Sequence, residues 1–107
     1  MQRVTMVRYT AKPERADENE RLSRAVFAEL RETRPPGVAY TLCRTGDELV
    51  HVFINFNADE AGAVTDLASF KAFSAEGPDR HASPAEIVRL GVNVIEAYSA
   101  ERVPATA

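Results

Sequence analysis

Few side chains in this chain are suited to chemistry, and the most suggestive pair shares one segment. Residues 48 to 56 read Glu-Leu-Val-His-Val-Phe-Ile-Asn-Phe, the β-branched and aromatic content of a strand covered on both sides. Side chains alternate along a strand, so Leu49, His51, Phe53 and Asn55 point one way and Val50, Val52, Ile54 and Phe56 the other. An imidazole titrates near neutral pH, so His51 can take a proton from a phenol or hydroquinone and expose the ring to oxygen. Asn55, on the same face, can donate a hydrogen bond to the resulting oxyanion. His51 and Asn55 are therefore the catalytic candidates. Each also has a plainer role: a histidine bonded into the wall of a strand, and an amide satisfying a sheet edge or a buried backbone group.

Tyr9, Tyr40, Phe53 and Asn93 are the candidates for holding a substrate, since each falls in a strand-like run and the aromatic ones can pack against a ring. Cys43 beside Arg44 lacks the surroundings of a nucleophile and reads as a small apolar residue. His81, flanked by Asp79 and Arg80, reads as part of a surface loop, and Glu96 as a pocket group of low specificity. Two histidines 30 residues apart are poor evidence for a metal site, and no glycine-rich phosphate loop, hydrolase elbow or zinc motif occurs.

These residues need a scaffold, and 107 residues with 45% hydrophobic and 27% charged side chains make about one domain with one core. Residues 1–100 are assigned to that domain and 101–107 to a polar tail. A net charge of -3 without a basic stripe argues against nucleic acid as a partner. No apolar run approaches the ~20 residues of a membrane span and no signal-peptide core is visible, so no membrane partner and a cytoplasmic location are expected. The single cysteine fits a reducing compartment.

Val4 to Tyr9 is a β-rich run, and Pro13 suits the first turn of a helix that runs to about Arg34. Leu22, Ala25, Val26, Glu29 and Leu30 recur at helical spacing, whereas Asp17 to Glu20 read as a solvated face. Pro35-Pro36-Gly37 ends the helix. Val38 to Arg44 is the next strand, joined to Glu48–Phe56 by the turn signal Gly46-Asp47. Val64, Leu67, Phe70 and Phe73 mark a second helix stopped by Gly77-Pro78. Ser83-Pro84-Ala85-Glu86 has capping-box spacing and predicts a helical turn to Leu90, ended by Gly91, before a final strand from Val92 to Ser99.

The order β-α-β-β-α-β is that of the ferredoxin-like α+β fold, an antiparallel sheet with both helices on one face. The wholly apolar face of the central strand is expected to carry the helices, and the His51 face to wall a cavity. An open sheet face presenting Val7, Tyr9, Phe53 and Ile95 then calls for a two-fold homodimer whose sheets face one another.

At this point the residues resemble a known group. Asn19-Glu20, Ala25-Val26-Phe27-Ala28-Glu29-Leu30, Arg34-Pro35 with Gly37 and Tyr40, Val50-His51-Val52, Leu67 with Phe70-Lys71-Ala72-Phe73, and Ala97-Tyr98 resemble the dimeric α+β barrel superfamily. The nearest branch is the small, largely uncharacterised antibiotic-biosynthesis-monooxygenase-like proteins. The resemblance implies a homodimer, a dimeric α-β barrel with a pocket between sheet and helices that takes a small apolar or aromatic ligand. Some members oxygenate polyketide-derived phenols without metal or flavin, and others degrade haem. This chain has no tryptophan, which departs from the haem-degrading pattern. Gly77-Pro78 and the long 83–91 link depart from the pattern near the expected pocket mouth.

Two functions follow. One is a cofactor-independent monooxygenase acting on a small aromatic or polyketide-like substrate, with His51 as base and Asn55 as stabiliser. The other is a non-catalytic dimeric ligand-binding or stress-associated protein, favoured by the thin supply of ionisable groups on the inward strand faces.

Overall fold

The computed structural model describes residues 2–57 and 62–98. The first strand, β1 (Gln2–Thr10), is followed by a 3-10 turn at Pro13–Arg15, where proline's fixed φ suits the helix start. That turn leads into α1 (Ala16–Thr33), which ends on Arg34 in the left-handed region, its N–H bonded to the Leu30 carbonyl, immediately before Pro35. β2 (Val38–Thr45) and β3 (Glu48–Asn55) form a hairpin through Gly46-Asp47. Gly46 takes a φ of 59°, which it can do without a Cβ penalty. Three helical pieces follow, α2 (Gly62–Thr65), α3 (Ala68–Ala75) and α4 (Gly77–Arg80), and then β4 (Glu86–Val92).

The sheet order is β2-β3-β1-β4, with every neighbouring pair antiparallel. This is the ferredoxin-like α+β architecture expected from the element order. Tyr9, Ala11, Ala16 and Leu49 form the centre of the core, with Val7 and Leu42 packed against it. Leu49 is fully buried, worth about 1.5–3 kcal/mol of transfer free energy.

The covered face is the opposite of the one expected. Residues directly opposite in the ladders share a side, and Val7, Tyr9, Tyr40, Leu42, Leu49, His51 and Phe53 lie together on the side that α1 packs against. The open side carries Val4, Met6, Val50, Val52, Ile54, Val88 and Leu90. The reason is the buried stripe of α1: Ala16, Asn19, Ser23 and Val26 bring polar partners to the polar strand face. Asn19 is therefore buried rather than part of a solvated face, and Ala25 is exposed.

The end of the chain also differs. Residues 86–92 form a strand rather than a helical turn, and residues 93–98 have no regular structure. Ile87, Val88 and Leu90 favour an extended chain, and the free edge of β1 supplies a ladder from Arg8↔Glu86 to Gln2↔Val92 that outweighs the local capping signal. Ile95 lies beyond that ladder, 89% exposed. Gly77-Pro78 ends α3 as expected, but the chain at once re-enters a helical turn with Pro78 in its first residues. Ser99 and the expected tail at 101–107 lie outside the described residues.

Candidate functional site

The middle strands and α4 together build a chain of polar side chains inside the core. Tyr9 from β1 and His51 from β3 lie on the same face, two rows apart, and their hydroxyl and Nε2 are 2.8 Å apart. Tyr40 from β2 reaches the other ring nitrogen, with its hydroxyl 2.5 Å from Nδ1. From α1, the Asn19 amide nitrogen donates to the Tyr9 hydroxyl at 2.8 Å. Arg80 Nε donates to Asn19 Oδ1 at 2.9 Å, across 61 positions of sequence.

Backbone bonds hold Arg80 and His81 beside Tyr9. Lys12 N–H donates to the Arg80 carbonyl, Ala82 N–H donates to the Thr10 carbonyl, and Ala11 pairs with His81 as an isolated bridge. The Arg80 guanidinium lies 5.1 Å from the centre of the Phe73 ring, and one of its terminal nitrogens donates to the Phe73 carbonyl. Arg80 is completely buried without a carboxylate in ion-pair range among the described residues. Its Nη1 has no hydrogen-bond partner among the described residues.

Beside this chain lies a cavity of about 190 Å³, walled by Val7, Tyr9, His51, Phe53, Phe70, Phe73, His81 and the turn around Gly77-Pro78. The His81 ring stacks on Tyr9 with centroids 3.9 Å apart, and its buried Nε2 has no hydrogen-bond partner among the described residues. His81 is thus a wall of the cavity rather than a surface-loop residue. A second cavity, about 270 Å³, lies at the end of α1 between Phe27, Leu30, Arg31, Arg34 and Tyr40. Tyr40, stacked on Phe53 at 4.1 Å and on Phe27 at 4.4 Å, stands between the two.

Burial sets the protonation states. It pushes the His51 pKa down to about 4, with the neighbouring His81 adding to the shift, so the ring is neutral at physiological pH. Burial raises Tyr40, with Tyr9 reinforcing it, and raises Tyr9 against the opposing pull of Asn19 and Arg80. His81 is lowered by burial and then by Arg80. The site is a set of neutral donors and acceptors organised beside one buried cation.

Of the residues singled out from sequence, Tyr9, Tyr40, His51 and Phe53 come together here. Asn55 is buried but lies about 13 Å further along β3, opposite Arg3 and Val38, away from the cavity walls. Asn93 is exposed beyond the end of β4 and walls neither cavity. Glu96 is likewise exposed, and Cys43 is a free thiol exposed on β2. Asn19, Arg80 and the ring pair Phe70 and Phe73 were not singled out for the site. The spacing Asn19–Ser23–Val26 is the signal that could have placed Asn19 inside, because it is one helical stripe. No group of three metal-ligating side chains occurs among the described residues.

No family model matches the sequence, and no curated protein is similar enough to match it. Solved structures do match. A Bacteroides thetaiotaomicron protein, named provisionally as an antibiotic biosynthesis monooxygenase, superposes with a TM-score of 0.77 at 14% identity, covering 92% of this chain and 96% of that one. Similar proteins of Nitrosomonas europaea and Caulobacter crescentus, under the same provisional name, give TM-scores of 0.73 and 0.72 at 17% and 20% identity. They cover 90% and 86% of this chain and 94% and 91% of their own. At such identities the likeness establishes the fold alone: the ferredoxin-like α+β arrangement of this chain is shared with these proteins. No helix among the described residues is long and apolar enough to cross a membrane.

Proposed function

We propose that the protein is a homodimer, paired through the open sheet face, that oxygenates a small aromatic or polyketide-derived phenol in the cavity walled by His51. The observation that carries this reading is a buried, neutral imidazole joined to a cavity-lining tyrosine among aromatic walls. A cavity of about 150 Å³ accepts benzene. One of about 190 Å³ suits a substituted single ring or a compact bicyclic ring.

His51 acts here through Tyr9. The substrate hydroxyl gives its proton to the Tyr9 oxygen while Tyr9 passes its own to Nε2, so the ring becomes an electron-rich anion and His51 an imidazolium. One electron passes from that anion to dioxygen, and the two radicals join at the ring carbon para to the oxygen. The imidazolium returns its proton to the peroxide along the same path. Loss of the proton on that carbon with cleavage of the O–O bond forms the new carbonyl, and the departing hydroxide takes the proton as water. One dioxygen is consumed, one oxygen atom enters the product and the other leaves as water. Phe53, stacked against Tyr40, supports the bound ring. Asn55 and Asn93, far from these walls, have no step in this scheme.

The second reading is a non-catalytic dimer that only binds such a ligand. It is favoured by the occupation of both His51 nitrogens by tyrosine hydroxyls and by the low affinity of that ring for a proton. Oxygen uptake with 1-naphthol and naphthalene diols that carry a hydrogen para to a hydroxyl, alongside mass analysis of the recovered ligand, separates the two. Enzyme-dependent uptake lowered about 10²- to 10⁴-fold in His51→Gln supports catalysis. Ligand recovered unchanged in air, with binding intact, supports the second reading.

A further inference from the structure

The buried polar chain has a direction, and its starting point is Arg80. A guanidinium donates hydrogen bonds and accepts none, so only the oxygen of the Asn19 amide can face Arg80 Nε, 2.9 Å away. The amide NH2 is thereby turned to the Tyr9 hydroxyl. Tyr9 is 4% exposed, and among the described residues the acceptor within reach of its proton is His51 Nε2. A neutral imidazole that accepts at Nε2 carries its proton on Nδ1, and that N–H donates to the Tyr40 oxygen. The Tyr40 proton is then the one in the series with no acceptor assigned, and burial keeps the phenol protonated.

We propose that Arg80 is a positioning residue that fixes every proton in this chain, so that His51 is held as the Nδ1–H tautomer with Nε2 as the acceptor of the Tyr9 proton. The hydrogen bonds from Arg80 to Asn19, from Asn19 to Tyr9 and on to both ring nitrogens of His51 carry this order. The order does not depend on the reading of the 190 Å³ cavity as a ring-binding site.

The test is the tautomer of His51, read from long-range ¹H–¹⁵N correlation spectra of the full chain at pH 7.5. Wild type is expected to carry the proton on Nδ1, with Nε2 as the pyridine-type nitrogen. Asn19→Asp, nearly isosteric and able to pair with Arg80, removes the amide donor. Its carboxylate accepts from both Arg80 and Tyr9, which forces Nε2–H onto the Tyr9 oxygen and inverts the tautomer. Arg80→Met frees the Asn19 amide to flip, so a mixture of tautomers is expected. Proton on Nε2 in wild type, or the same single tautomer in all three proteins, overturns the proposed order.

Discussion

Leu49 and Val50 are neighbours on β3 and face two different environments. Leu49 points to the side that also holds Tyr9, His51 and Tyr40, where α1, α3 and α4 close over a hydrogen-bonded chain. Val50 points to the open side, a field of Val4, Met6, Val52, Ile54, Val88 and Leu90 with no helix over it among the described residues. Met6, Val88 and Leu90 are 41%, 41% and 52% exposed there. Polar groups are thus inside and apolar groups outside, the reverse of the ordinary division. The covered side tolerates its polarity because nearly every group has a partner. The open side is apolar because, on the proposed reading, a second copy covers it.

The sharpest way to break that contrast is to put a charge in the middle of the open side. Val52 lies opposite Met6 on one neighbour and Thr41 on the other. In a two-fold dimer Val52→Lys buries two unpaired ammonium groups, and an uncompensated buried charge costs about 3–5 kcal/mol, roughly a thousandfold in dissociation constant. Sedimentation at micromolar concentration is expected to give a dimer for wild type and a folded monomer for the variant. A wild-type monomer under those conditions would break the contrast itself.

Adjacent truncations on β3 measure the two sides against each other. Leu49→Ala opens a cavity in the core at a cost of about 3 kcal/mol, a midpoint lower by more than about 10 °C. Val50→Ala, measured at a dilution where the chains are separate, is expected to cost less than about 1 kcal/mol. Similar losses at the two positions would mean that the open side is already packed within one chain.

The third measurement concerns the polarity of the covered side. The unfolded chain protonates His51 near pH 6.5, whereas the folded chain holds it neutral down to about 4. Between those values the unfolded state binds more protons, so the stability is fully present above pH 6.5 and is lost as the pH falls toward 4. From pH 7.5 to 4.5 the loss is expected to reach roughly 2.5 kcal/mol in urea titrations. His81, also lowered by burial, acts in the same direction. His51→Phe should show less than half of that loss; an unchanged pH slope would mean His51 is not the group held neutral.

Periodicity reveals the elements better than it reveals their partners. β1, α1 and the β2–β3 hairpin follow from local signals: strand residues ended at Pro13, a stripe ended at Pro35-Pro36, and a two-residue turn at Gly46-Asp47. Alternation on β3 separates the two faces, but which one is covered depends on Asn19 and Arg80, whose bonds, Asn19 to Tyr9 on β1 and Arg80 to Asn19 on α1, span ten and 61 positions. Tyr9, Tyr40, His51 and Phe53 were readable as one face because strand alternation is local. Arg80 was not, because a cation after Pro78 looks like surface until the 10–12 and 80–82 backbones pair. β4 was misplaced for the same reason: its ladder partner, β1, is at the other end of the chain.

The smallest effect is expected at the edge of the open side, and it locates the border between the two environments. Arg8 Nε and Glu48 Oε1 are 2.7 Å apart, with side chains 60% and 33% exposed. Both belong to the open-side rows, at the end of the strands where Arg8 lies opposite Glu86 and Glu48 opposite Thr10. An ion pair in contact with water contributes only about 0–1 kcal/mol and is screened by salt. Glu48→Gln is therefore expected to lower stability by less than about 0.5 kcal/mol at low ionic strength and by nothing measurable in 1 M salt. If a second sheet reached this edge and dried it, removal of the carboxylate would leave a buried guanidinium unpaired. The loss would then rise to about 3 kcal/mol or more, persist in salt and grow with protein concentration. A small, salt-sensitive loss confines the apolar interface to the rows around Met6, Val52 and Val88, with the charged row left at its wet rim.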